Sequence, residues 1–320
     1  MTKRPTSLLS EKDVPQAAQL LRAGALVAFP TETVYGLGAD ATHGEAVAGI
    51  YEAKGRPSFN PLIAHIADLD TAQCEGVFNE DALKLARAFW PGPLTLVVPI
   101  AKSCSVSSLA RAGLDTIGLR IPSHPIALAL LREVARPVAA PSANRSGRVS
   151  PTTAQHVMGD LDQRIDAVLD GGATSVGVES TIVACLDDTP RLLRPGGITR
   201  EELERVLGRS LADSDSATLL APGMMQSHYA PDAAVLLNQT SGAADAALLD
   251  FGGQLANAPC KARIDLSASG NLTEAAAHLF DALRKLDETG AAQIRVAPVP
   301  HHGLGEAIND RLMRAAAPRN

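Results

Sequence analysis

Along most of the chain, short apolar runs bounded by proline, glycine and hydroxyl residues alternate with stretches whose apolar positions recur at helical spacing. Val14, Ala17, Ala18 and Leu21 mark a helix over 14–23, and Val27–Phe29 a strand that ends at Pro30, which lacks a ladder donor. The polar turn Thr31-Glu-Thr33 follows, and Gly36 and Gly38 permit positive φ or a close backbone approach. Val47, Ile50 and Tyr51 fall at i, i+3, i+4 on a second helix that Gly55 can close, while Pro57 biases Arg56 toward an extended conformation. Lys54 and Arg56 are therefore expected to leave the helix end as a free, exposed cationic pair, and two fixed cations beside a Thr- and Gly-rich turn point to an anion with several oxygens.

The alternation continues. Leu62–Ile66 reads as a strand containing His65, Asp81–Trp90 as a helix stopped by Pro91-Gly-Pro93, and Leu94–Pro99 as a strand too apolar for an exposed face. In Thr116-Ile-Gly-Leu-Arg-Ile, strand alternation places Ile117, Leu119 and Ile121 on one face and Thr116, Gly118 and Arg120 on the other. A helix over Ile126–Val134 precedes the strand and polar turn Pro137-Val-Ala-Ala140-Pro-Ser142-Ala-Asn144, and Arg145–Ser150 is a loop ahead of a helix at Thr153–Met158. Runs at 165–172, 177–183 and 191–197 repeat the strand with a polar end, and Thr199 with Glu202 forms a capping box for a helix ending near Leu207. Beyond 208 the patterns lapse until Ala234. Strands at 234–237, 247–251, 264–266 and 294–297 then alternate with helices at 273–286 and 305–316.

Strands alternating with helices define an α/β protein with two units. The expected division is a first domain over 1–208, a linker over 209–232 and a smaller Rossmann-like α/β domain over 233–320. Pro222-Gly-Met-Met-Gln-Ser-His-Tyr-Ala-Pro231 carries too much Met, His and aromatic character for a passive tether, and is expected to lie as a flap across the site.

A hydrophobic content of 46% supports substantial cores, whereas 3% aromatic residues and a net charge of −6 argue against stacking platforms or tight nonspecific binding to a polyanion. The four cysteines make no C-x-x-C pair, so a zinc ribbon or disulfide scaffold is not indicated, and His301-His302 reads as loop. The N-terminus has no apolar h-region, so a cytoplasmic protein is expected. Gly36-Leu-Gly-Ala-Asp-Ala fits the loose dinucleotide fingerprint but lacks the strand ending in an acidic residue that should follow. The hydrolytic motifs G-x-S-x-G and HExxH are absent, as is the Walker A loop. What remains is a set of cations (Lys54, Arg56, Arg120, Arg194) and neutral polar groups (Thr31, Thr33, Thr116, Ser142, Asn144, Ser150, Ser180) at strand ends, the equipment of phosphoryl or nucleotidyl transfer.

These segments carry a resemblance. Phe29-Pro-Thr-Glu-Thr-Val-Tyr-Gly-Leu-Gly, Lys54-Gly-Arg-Pro with Asn60-Pro-Leu, Trp90-Pro-Gly-Pro-Leu-Thr, Gly118-Leu-Arg-Ile-Pro, Ala140-Pro-Ser-Ala-Asn-Arg-Ser-Gly, Val178-Glu-Ser-Thr-Ile and Leu193-Arg-Pro-Gly, in this order, resemble the YrdC-type threonylcarbamoyl-AMP synthases. Pro222-Gly-Met-Met with His228-Tyr-Ala-Pro, and Gly303-Leu-Gly with Ala307-Ile-Asn-Asp-Arg-Leu, resemble the linker and second domain of their long form; Gln226-Ser227 departs from the aromatic and basic residues usual there.

The resemblance implies a YrdC-like twisted mixed open sheet and synthesis of L-threonylcarbamoyl-AMP and pyrophosphate from L-threonine, bicarbonate or CO2, and ATP. That is the first step toward threonylcarbamoyladenosine in tRNA. It places Thr33, His65, Arg120 and Ser180 on threonine, with Arg120 at the carboxylate. It places Arg56, Asn60, Thr116, Ala140, Ser142, Ser150, Arg194 and Tyr229 on the nucleotide, with Lys54 and Asn144, from the matched motifs, beside the phosphates. Mg2+ would arrive with ATP, and the product would pass to a tRNA threonylcarbamoyl-transfer machinery, with direct tRNA binding weak or absent. Two other readings compete: an RNA-binding module of the same fold, and a carbamoyl-transfer domain of the hydrogenase-maturation kind, whose zinc-finger cysteines this chain lacks.

Overall fold

A computed structural model describes residues 5–57, 60–213 and 229–318 of the chain. The expected flap residues Met224, Met225, Gln226, Ser227 and His228 lie outside the described residues. Among those described, the larger sheet holds β1 (Ser7–Leu9), β2 (Val27–Phe29), β3 (Gly36–Asp40), β4 (Ile63–His65), β5 (Leu94–Pro99), β6 (Thr116–Arg120), β7 (Val138–Ala139), β8 (Ala167–Leu169), β9 (Thr181–Ala184), β10 (Arg191–Arg194) and β11 (Ala212–Asp213). Their spatial order is β1-β8-β2-β3-β7-β4-β6-β5-β9-β10-β11, with parallel and antiparallel pairs mixed. The helices are α1 (Val14–Arg22), α2 (Gly44–Lys54), α3 (Leu69–Glu75), α4 (Glu80–Phe89), α5 (Pro125–Val134), α6 (Ala154–Leu161) and α7 (Arg200–Leu207).

Local signals explain these boundaries. Gly55, at φ 62°, closes α2 in the left-handed conformation that glycine adopts without strain. Asn79 accepts from the Ala82 amide at the start of α4, and Thr199 with Glu202 forms a full capping box on α7. For Gly36 and Gly38 the structure decides between the two expected uses of glycine. Both sit inside β3, the antiparallel partner of β2, and neither has a positive φ. Gly38 serves close approach instead: a Cβ there would stand 2.9 Å from the Phe29 ring and 3.0 Å from the Val27 carbonyl oxygen.

The second domain is a parallel sheet of β12 (Ala234–Leu236), β13 (Ala247–Asp250), β14 (Ala262–Asp265) and β15 (Gln293–Val296), ordered β12-β15-β13-β14, with α8 (Leu272–Asp287) and α9 (Leu304–Ala316) packed on it. Leu279, Phe280, Leu283 and Leu286 of α8 are its buried stripe. Its core does not stop at the domain boundary. Val34, Val149 and Val178 of the first domain belong to the same buried cluster as Phe280 and Ile308, and Tyr229 joins them. Gly177, at φ 76°, brings backbone against backbone: a Cβ there would lie 2.5 Å from the Ala276 carbonyl oxygen of α8. Ion pairs Arg284–Asp160 (2.7 Å) and Arg200–Glu306 (3.0 Å) bridge the two domains, and Arg148–Asp232 (3.0 Å) ties the first to the end of the linker.

Candidate active site

The strand directions assemble the site. β4, β6 and β10 run one way and β9 the other, so the ends of the first three and the start of β9 share one edge of the sheet. That edge carries His65, Arg120, Arg194 and Ser180. Turns after β2 and β7, from strands of opposite direction, add Thr31, Thr33, Ala140 and Ser142. Ile63 and His65, alternate residues of β4, both line the resulting pocket, so it lies over a face of the sheet as well as at its edge. Its empty space is about 530 Å³ with the open mouth included.

Three guanidinium groups line it: Arg56, Arg120 and Arg194, each buried. Arg194 donates to the Ser180 carbonyl oxygen from Nε (3.2 Å) and Nη2 (2.9 Å), and Nη2 also reaches Ser180 Oγ at 3.2 Å. Ser180 Oγ lies 2.8 Å from Thr95 Oγ1. Gly196 makes this geometry possible, since a Cβ there would lie 2.3 Å from the Glu179 carbonyl oxygen. Arg120 Nη2 donates to Glu32 Oε1 at 2.6 Å, and Glu32 Oε2 accepts from the Ser123 amide at 3.1 Å. Arg56 donates to the carbonyl oxygens of Asn60 (3.4 Å) and Pro61 (3.2 Å).

Burial, followed by the charges nearby, sets the ionisation of these groups. Desolvation pulls Arg56 down to about 10 and lowers Arg194 from its ordinary value. Both remain charged at neutral pH, and an anion placed between them would relieve that cost. Burial and the adjacent Arg120 charge bring His65 down to about 3, so the imidazole is neutral and offers one donor and one acceptor. Its ring packs edge-on against Phe29 with centroids 6.1 Å apart. Glu179 is held down at about 2, where Arg311, Arg194 and Ser150 outweigh burial.

Of the residues singled out from sequence, Thr33, Arg56, His65, Arg120, Ala140, Ser142, Ser180, Arg194 and Tyr229 line the pocket. Lys54, Asn60, Thr116, Asn144 and Ser150 are not among its lining residues. The expectation of a free, exposed Lys54–Arg56 pair is corrected, since both are buried. Lys54 Nζ donates to the carbonyl oxygens of Ser142 (2.6 Å) and Asn144 (2.5 Å), and burial pulls its pKa well below 10.5. The Lys54 carbonyl oxygen in turn accepts from the Ser146 amide at 2.8 Å. Lys54 thus supports the turn that presents Ser142. Asn144 Nδ2 bonds the carbonyl oxygens of Arg145 (2.9 Å) and Arg148 (2.7 Å), and Ser150 Oγ donates to Glu179 at 2.6 Å. Thr116 Oγ1 is buried without a hydrogen-bond partner among the described residues.

Glu32, Glu179 and Arg311 escaped the sequence reading. Glu32 and Glu179 lie inside motifs quoted above, where only their hydroxyl neighbours drew attention, and their sole signal was that each sits beside a residue expected at an anion site. Arg311 comes from α9, more than a hundred residues away along the chain. Its side chain is fully buried and donates from Nε to Glu179 Oε2 at 2.8 Å.

Fold and site together define a two-domain α/β protein with a pocket lined by three buried guanidinium groups. Comparison with known proteins narrows this class. A family model described as "Telomere recombination", covering the Sua5, YciO and YrdC proteins, matches residues 19–196, and one described as "Threonylcarbamoyl-AMP synthase, C-terminal domain" matches residues 198–317. The threonylcarbamoyl-AMP synthase of Bacillus subtilis is 46% identical over 98% of this chain and 96% of its own length. That of Schizosaccharomyces pombe is 38% identical over 91% of this chain and 85% of its own. The crystal structure of Pyrococcus abyssi Sua5 complexed with L-threonine superposes with a TM-score of 0.90 at 40% identity, covering 97% of this chain and 98% of that one. The chain belongs to the threonylcarbamoyl-AMP synthase family, in its long, two-domain form.

Proposed function

We propose that the chain joins L-threonine, bicarbonate or CO2, and ATP into L-threonylcarbamoyl-AMP with release of pyrophosphate. The observation that carries this reading is the gathering of Arg56, Arg120 and Arg194 around one pocket that also presents the hydroxyls of Thr31, Thr33, Ser142 and Ser180. Full-length relatives bearing that activity in their names, and a similar structure that holds L-threonine, support it.

In this reading the threonine amine and bicarbonate lose water to form a carbamate. A carbamate oxygen then attacks the α-phosphorus of ATP, and the bond to the β-phosphate oxygen breaks as pyrophosphate leaves. Arg120, fixed on one side by Glu32, offers its guanidinium to the threonine carboxylate, while Thr33, Ser180 and the neutral His65 orient the rest of the amino acid. Arg56 and Arg194 face the triphosphate and stabilise charge moving onto the leaving pyrophosphate, with Ser142 and the Ala140 backbone beside the nucleotide. Lys54, Asn144 and Ser150 act one step back, by holding the turn and the carboxylate that shape the pocket. Tyr229 closes one wall.

Among the described residues no group of three metal-binding side chains exists. Mg2+ would arrive with ATP and would offset phosphate charge beside Arg56 and Arg194. The product would feed a tRNA threonylcarbamoyl-transfer machinery. A net charge of −6 supports weak direct tRNA binding, and four free cysteines suit a reducing cytoplasm. No helix of the described residues is long and apolar enough to cross a membrane. Pyrophosphate release measured with each substrate omitted in turn tests the reading: release must need ATP, threonine and bicarbonate together, and formation of ADP or indifference to threonine would overturn it.

A further inference from the structure

The motif Ala307-Ile-Asn-Asp-Arg-Leu on α9 has no place in the chemistry above, yet it sends a fully buried arginine to the wall of the pocket. We propose that Arg311 is a positioning residue for nucleotide binding: it holds the Glu179 carboxylate against Ser150 and so keeps that carboxylate away from the Arg194 guanidinium in the same pocket. The inference rests on the nucleotide role given to Arg194 above.

Glu179 and Arg194 both line the pocket, and Arg194 is bonded to Ser180, the residue next to Glu179. A buried carboxylate one residue from a buried guanidinium is drawn to it, and a direct pair would cancel the charge meant for phosphate. Two contacts hold the carboxylate toward other partners, although the Arg194 charge still reaches it. Ser150 Oγ occupies Glu179 Oε1 at 2.6 Å, and Arg311 Nε occupies Oε2 at 2.8 Å. Arg311 is itself locked, with Nη1 donating to Asp310 Oδ2 at 2.6 Å, Asp310 held in turn by Arg314, and the guanidinium 5.5 Å over the Tyr229 ring. Tyr229 stacks on Phe280 of α8 with centroids 5.4 Å apart, so the clamp is anchored in the second domain's core. Asn309 adds rigidity by donating to the carbonyl oxygens of Val299, Pro300 and Gly305 at the start of α9. The pocket's charge balance is therefore completed by a residue that reaches it only when the second domain is docked.

The test uses the full chain and reads binding without turnover. The affinities of a non-hydrolysable ATP analogue and of L-threonine are measured by calorimetry at a temperature where circular dichroism shows each variant folded. Arg311→Met is expected to weaken the analogue about tenfold or more while threonine changes by less than about threefold, and Glu179→Gln added to Arg311→Met restores the analogue to within about threefold of the parent. Arg200→Met, at a residue outside the pocket lining, removes the interdomain ion pair to Glu306, separates this effect from loose docking and is expected to leave both affinities unchanged. Should Arg311→Met not fold, Arg311→Gln, which retains a donor for Glu179 without the charge, is read in the same way. The proposal falls if the Arg311 variant binds the analogue like the parent, if Glu179→Gln gives no recovery, or if Arg200→Met loses as much. A parent chain that binds the analogue but forms no pyrophosphate would sink the proposed reaction and not the clamp.

Discussion

Arg120 and Glu32 meet at 2.6 Å with their side chains 5% and 7% exposed. Removing one partner strands the other charge in the interior, a loss of about 3–5 kcal/mol, so Arg120→Ala should be markedly destabilised in urea. Adding Glu32→Gln should recover part of that loss without recovering threonine binding. An unchanged urea midpoint for Arg120→Ala would mean that the pair is solvated in solution.

Lys54 and Arg56 sit two residues apart and should fail in different ways. Lys54→Met leaves the Ser142 and Asn144 carbonyls without their shared donor, a cost of about 1–3 kcal/mol visible in the melting temperature. Arg56→Ala should lower kcat/KM by about 100-fold, or about 2.7 kcal/mol of transition-state stabilisation. Equal melting temperatures for Lys54→Met and the parent would contradict the supporting role of the lysine.

His65 makes stability depend on pH in the mildly acidic range. Its folded pKa of about 3 lies below the ordinary 6.5, so between these values the unfolded chain takes up a proton that the folded chain refuses. Stability should therefore be unaffected by His65 above pH 6.5 and fall as pH drops below it. The slope from this residue approaches one proton, about 1.4 kcal/mol per pH unit. Urea unfolding of His65→Gln between pH 6.5 and 5 should be flatter than the parent by up to that amount, and parallel curves would show that the imidazole protonates in place.

Gly196→Ala should damage both fold and activity. Its methyl would meet the Glu179 carbonyl oxygen at 2.3 Å and the Thr181 amide nitrogen at 2.4 Å, backbone that cannot give way cheaply. A loss of about 1–3 kcal/mol is expected from overpacking, together with weaker ATP binding as β10 is pushed off Ser180. Gly208→Ala, where a Cβ meets nothing but φ is 72°, is the comparison: strain there should lower stability and leave ATP affinity alone.

How much of this was legible in the sequence follows from the range of each interaction. The mixed α/β class, the second domain and the face of Arg120 on its strand rest on period-two and period-3.6 patterns and on caps, all local. The burial of Lys54 depends on a turn some ninety residues away, so a helix-end lysine read from its neighbours appears exposed. At Gly36-Leu-Gly38 the sequence leaves glycine ambiguous between positive φ and close approach, and only the Phe29 ring decides. The Glu179 clamp was invisible because its arginine lies 132 positions further along the chain.

Gly177 gives the two domains their separation by having no side chain. It lies two residues before Glu179 and touches α8 main chain to main chain, so the gap between domains contains no compressible layer at that point. A shift of α8 is passed to the Val178–Ser180 strand entry almost undiminished, much as a shim sets the clearance of a bearing. A second domain grafted from a relative would therefore have to match the first to within a fraction of an ångström at this contact, and a mismatch would register as altered substrate affinity before it registered as unfolding.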